Sequence, residues 1–164
     1  MLTGYAPQLS PPLNRAVGFL PRGFTTIELM ISVFVAGLLA ALMLPGFQAQ
    51  LRKTRRSDAL LAIAQVQQAQ ERWRGMQPVY AASLATLSLS SRSPAGHYAI
   101  ATTTDAATAA QGYIVTAVGT GNQAQDALCL HLRVVVNGGS LRHQSGPDSR
   151  YGNDDEANRA CWAL

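Results

Sequence analysis

"RGFTTIELMISVFVAGLLAALMLPGF", residues 22–47, holds one acidic side chain, Glu28, near the start of an otherwise apolar run. Phe24–Leu44 carries no other charge, and a helix of that length rises about 31 Å, the thickness of a hydrocarbon core. An acid placed inside such a span costs a few kcal/mol, less near an end, and marks a partner. A secretory signal sets its apolar core before the cut. Here Arg22-Gly23 precedes the core instead. A cut between Gly23 and Phe24 keeps the whole apolar helix and creates a cationic amine on Phe24, four residues from Glu28 and on the same helix face. In apolar surroundings the amine of one chain neutralises the carboxylate of another, which makes Glu28 an assembly register.

The remainder sets the scale. With 164 residues, 48% of them hydrophobic, the chain has room for one compact domain and an extension. Its net charge of +4 is mild, and Arg15 and Arg22 both precede the apolar run. Charge alone therefore does not argue nucleic-acid binding. Cys129 and Cys161 fit neither a zinc spacing nor a redox C-x-x-C. They form one disulfide in an exported domain, or stay as two buried thiols in a cytosolic one.

Pro45 predicts a kink around Leu44–Gly46. Helical character then resumes, because Gln48 to Arg74 contains no glycine or proline. Ala59, Ala62, Val66, Ala69 and Trp73 form an apolar stripe, widened by Leu60 and Ile63, and Gly75 and Pro78 stop the helix. Residues 75–95 read as a connection with a short helix around Ala81–Leu87. Strands are expected at 97–103, 113–119 and 128–136, with Asn137-Gly138-Gly139 turning the chain into a fourth at 140–143. Residues 144–164 are rich in turn formers and show no strong element. One long helix followed by an antiparallel meander defines an α+β fold with about four strands packed on the helix stripe.

The elements Arg22-Gly23, Phe24-Thr25, Ile27-Glu28-Leu29, the aliphatic run and Pro45-Gly46-Phe47 closely resemble the prepilin signature of type IV pilins. That resemblance implies a leader at 1–23, removed after Gly23 by a prepilin peptidase, and N-methylation of Phe24. It implies a membrane and assembly segment at 24–47, an amphipathic half of the same helix at 48–74, and a sheet domain at 75–164. Glu28 matches the glutamate that guides subunit addition. The implied partners are other pilin subunits, the membrane and the inner-membrane assembly machinery, with the sheet domain periplasmic and then on the cell surface. Arg52, Lys53, Arg55 and Arg56 behind the span favour the opposite orientation by charge count, and the signature is the more specific of the two. The resemblance also implies a Cys129–Cys161 bridge, as in short minor pilins, and closing that loop stabilises by roughly 3–4 kcal/mol.

No catalytic constellation or cofactor motif is present: His97, His131 and His143 stand alone, without a carboxylate or cysteine at ligand spacing. No metal site is expected. Asp148, Asn153, Asp154, Asp155 and Glu156 lack an EF-hand spacing; a solvated acidic turn is the favoured reading and a calcium site the lesser alternative. Arg133, Arg142, Arg150 and Arg159, with His143, are candidate DNA contacts if the fold gathers them. The function expected is a minor pilus subunit for motility, adhesion or DNA uptake. A pilus-borne DNA receptor and a secretion-system pseudopilin are the alternatives.

Overall fold

The computed structural model describes residues 23–162, so the expected leader, with Arg15 and Arg22, lies outside the described residues. Helix α1 spans Thr26–Arg74. Thr25 caps it: its Oγ1 accepts the N–H of Glu28 at 3.3 Å, the Thr-x-x-Glu spacing of a capping box. Glu28 in the first turn also complements the helix dipole. Contacts divide the chain after Ala41.

In the first unit the large apolar side chains from Phe24 to Leu39 are exposed, as is Glu28. No single helix among the described residues is long and apolar enough to cross a membrane; Thr26–Ala41 and Gly46–Arg74 meet that requirement together by length and composition. The kink expected at Pro45 falls on a side chain outside the described set.

The second unit contains the sheet. Strands β1 (Tyr98–Thr103), β2 (Gly112–Gly119), β3 (His131–Asn137) and β4 (Ser140–Gly146) form an antiparallel meander in chain order. Their inward residues alternate with outward ones. Tyr98, Ile100, Tyr113, Val115, Leu132 and Val134 join Ala59, Ala62, Ile63 and Val66 of α1 in one apolar cluster. The helix stripe and one sheet face thus form the core, and truncating Ile63 or Leu132 to alanine opens a cavity costing about 2–5 kcal/mol. Between β3 and β4, Gly138 and Gly139 have φ of 55° and 78°, the left-handed pair that a tight two-residue hairpin requires.

Several boundaries differ from expectation. The connection around Ala81–Leu87 is a turn, not a helix: Leu84 O accepts the N–H of both Leu87 and Leu89. Gly121–Gln125 forms a 3-10 turn, and β3 begins at His131 rather than at residue 128. Strand β4 continues to Gly146, and a second helix, α2, spans Asp155–Trp162 where no strong element was expected. Helix α2 is short and gains its stability from its ends. Asp154 Oδ1 accepts the Ala157 N–H at 2.8 Å as a cap, while Cys161 and Trp162 are buried in the core.

Two polar side chains of α1 that enter the core are paired, whereas Trp73 Nε1, Gln123 Oε1 and Trp162 Nε1 are buried without a hydrogen-bond partner among the described residues. Gln70 is fully buried, and its amide exchanges hydrogen bonds with both backbone groups of Ala81, each at 2.9 Å. Asp58 accepts from the Ser93 hydroxyl and from the N–H groups of Ala95 and His97, which fastens the 75–97 connection to α1. Burial alone would raise its carboxyl; these hydrogen bonds and the neighbouring His97 outweigh that effect and hold it below the usual carboxylate range.

Candidate functional site

The alternation that buries Leu132 and Val134 points His131, Arg133 and Val135 to the outer face of the sheet. The tight turn then sets the register: Arg133 lies opposite Gln144, and Val135 opposite Arg142. Arg133, Arg142 and Gln144 therefore share the outer face of the sheet on its last hairpin, β3–β4. Arg133 Nε donates to Gln144 Oε1 at 2.9 Å, and its guanidinium carbon sits 3.9 Å from the centre of the Tyr151 ring. His131 meets the same ring edge-on at 6.1 Å.

Tyr151 belongs to the loop after β4 and adopts φ of 56°, a conformation non-glycine residues rarely take. The loop around it is fastened on both sides. Asp148 Oδ1 accepts the Arg150 N–H at 2.8 Å, and Asn153 donates from its backbone to Ser145 O and from its side chain to Leu128 O. Gly146 lets this loop pass close over the end of β4, since a Cβ there would stand 2.9 Å from Tyr151 Cα. Burial pushes the Tyr151 phenol up in pKa, and the positive charge of Arg133 opposes that rise.

Beside this face, Arg142, Gln144, Tyr151, Asn153 and Asn158 contribute to a cleft of 420 Å³. Asn158 is consumed by structure, donating to His143 O and accepting from Ser145 Oγ. His143 lies 4.5 Å from the Trp162 ring, and burial lowers its pKa.

The four arginines singled out from sequence separate. Arg133 and Arg142 come together, and Arg150 adjoins the residue whose ring carries Arg133. Arg159 sits on α2 with its Nε on Asp155 O; among the described residues no hydrogen bond or ring contact ties it to the other three. Tyr151 and Gln144 were not singled out. Gln144 lies beyond the expected end of the fourth strand at 143 and joins the face because β4 continues to Gly146, whereas nothing local marks Tyr151.

Cys129 and Cys161 are joined, with their Cα atoms 5.5 Å apart and both residues buried. Gly23 and Phe24 are exposed ahead of α1. Of the basic cluster after the apolar run, Arg56 turns into the domain and pairs with Asp126. Among the described residues no group of three or more His, Cys, Asp or Glu could hold a metal ion. The acids of the 148–156 segment instead serve turn and cap hydrogen bonds at Asp148 and Asp154.

A long helix sharing its core with a four-stranded antiparallel meander, closed by a C-terminal disulfide, defines a type IV pilin fold. Residues 45–133 match the family described as type IV minor pilin ComP, DNA uptake sequence receptor; the match covers more than half of the chain, which belongs to that family. The match runs from the helix through β2 and ends within β3, at Arg133. No curated protein matches the chain.

Proposed function

We propose that this chain is a minor subunit of a type IV pilus that offers the outer β3–β4 face to DNA during uptake. The observation that carries the reading is the pairing of Arg133 and Arg142 on one sheet face, in a chain of a DNA-receptor family. Among the described residues neither arginine is spent on an acidic side chain; the ion pair found there joins Arg56 to Asp126. Arg150 is exposed and adjoins Tyr151 in sequence. Such a surface attracts phosphates and releases counterions on binding.

In this reading prepilin peptidase cuts between Gly23 and Phe24, and Phe24 is N-methylated. The subunit waits in the inner membrane with its sheet domain in the periplasm. It enters the filament by packing Phe24–Leu44 between neighbours, Glu28 neutralising a neighbour's amine. The role is structural and recognitional, with no cofactor and no catalysis.

Titration of the mature chain in detergent with duplex DNA over a range of salt tests this. Affinity should fall steeply with salt, and Arg142→Ala should reduce the salt slope by about 1. Affinity no better than that of an unrelated protein of equal net charge overturns the DNA reading. Intact-mass analysis of sheared filaments tests the processing, where a chain starting at N-methylated Phe24 is expected. A full-length chain confined to the cell membrane overturns it.

A further inference from the structure

The basic side chains of the outer face are not equivalent. Arg142 and Arg150 are exposed, and among the described residues no hydrogen bond or ring contact holds either guanidinium. Phosphate contact asks little more than charge within reach. Arg133 is half-buried and fixed in three ways: by Gln144 Oε1 on its Nε, by the Tyr151 ring against its plane, and by a strand backbone paired on both sides. Among the described residues its two terminal nitrogens have no hydrogen-bond partner. The result is a guanidinium of set orientation whose far edge, two parallel N–H groups, is unused.

The support behind that orientation is itself built. Tyr151 is held over the end of β4 in a left-handed backbone conformation, Gly146 gives the clearance, and Asn153 pins the next turn. Resting on the DNA-binding reading above, we infer that Arg133 reads a base: its terminal nitrogens take the O6 and N7 acceptors of a guanine in the major groove, while Arg142 and Arg150 contact phosphates. The β3–β4 hairpin forms one edge of the sheet, and a bidentate arginine on guanine is the pairing that a pre-set fork favours. The Gln144 amide nitrogen, also without a partner among the described residues, lies beside the fork as a further donor.

The test enriches binders from a pool of randomised duplexes with the mature chain in detergent. Each guanine of the enriched duplex is then replaced by 7-deazaguanine. The expected result is one position where loss of N7 weakens binding about tenfold. Arg133→Lys keeps the charge and the salt slope but removes the fork, so it should abolish that position's preference. Arg142→Ala should weaken every duplex alike. Tyr151→Leu should blunt the preference while leaving non-specific affinity in place. If Arg133→Lys retains the guanine preference, or the wild-type chain binds duplexes without any base preference, the Arg133 assignment falls and the DNA reading stands. If the chain binds no duplex better than the charge-matched control, both fall.

Discussion

Arg56 and Asp126, 70 residues apart, meet through two parallel hydrogen bonds, Nε to Oδ2 at 2.7 Å and Nη2 to Oδ1 at 2.9 Å. The side chains are 13% and 5% exposed, so this is a buried pair rather than a surface one. It also gathers its surroundings. Arg56 Nη1 reaches Ala160 O in α2, and Gln123 Nε2 lies 3.2 Å from Asp126 Oδ2 and 2.8 Å from the Tyr98 hydroxyl. Removing one partner leaves a charge stranded in the interior. Asp126→Ala should therefore lower unfolding stability by about 3–5 kcal/mol in urea titrations. The double change Arg56→Met with Asp126→Leu should recover most of that loss.

The Asp58 carboxyl predicts an acid limb in the stability profile. Its folded pKa lies below the unfolded value, so its contribution is complete above about pH 4 and is lost as pH falls through the folded pKa. Asp58→Asn should cost about 1–3 kcal/mol at neutral pH and flatten that limb, as read by thermal melts from pH 2 to 7.

Tyr98 makes the mirror-image case at high pH. Burial raises its phenol to about 12, above the unfolded value of 10.0. The stability it contributes is present below pH 10 and is lost as pH rises from there through 12. Tyr98→Phe should remove part of this alkaline loss while also breaking the Gln123 hydrogen bond, at a cost of about 1 kcal/mol at neutral pH.

The Cys129–Cys161 bridge spans a sequence separation of 32. Replacing both cysteines by alanine should lower stability by about 3–4 kcal/mol. Hydrogen exchange should show where the loss begins: amides of α2 opening well before those of β2, which lies between two paired neighbours.

Glu28→Ala should leave cleavage after Gly23 intact, read as the mass of the processed chain in membranes, and reduce its share of sheared filaments well below wild type. Full incorporation of this variant would end the register role of the carboxylate.

The helix and the meander were legible because their signals are repetitive. Ala59, Ala62 and Val66 recur at helical spacing, β1 to β3 alternate or run apolar, and two glycines mark the hairpin. Helix α2 was not legible, since eight residues show barely two turns of pattern and its anchors, Cys129 and Arg56, are both remote in sequence. The burial of Asp58 and Gln70 was not legible, because their partners, Ser93 and Ala81, lie in a loop whose path no local pattern gives. At the candidate site the turn gave the register that sets Arg142 opposite Val135, but Gln144 meets Arg133 only because β4 runs past the expected end at 143. Tyr151 reaches the same point only through a loop bent into an unusual backbone conformation.

The C-terminal segment does one more thing at β4. That strand is the last of the sheet, and its outward carbonyls at His143 and Ser145 accept from Asn158 and from the backbone of Asn153. A strand from another copy finds that end of the ladder already taken. Neighbouring subunits of a pilus can therefore stand close without knitting into a continuous cross-chain sheet at that end of β4.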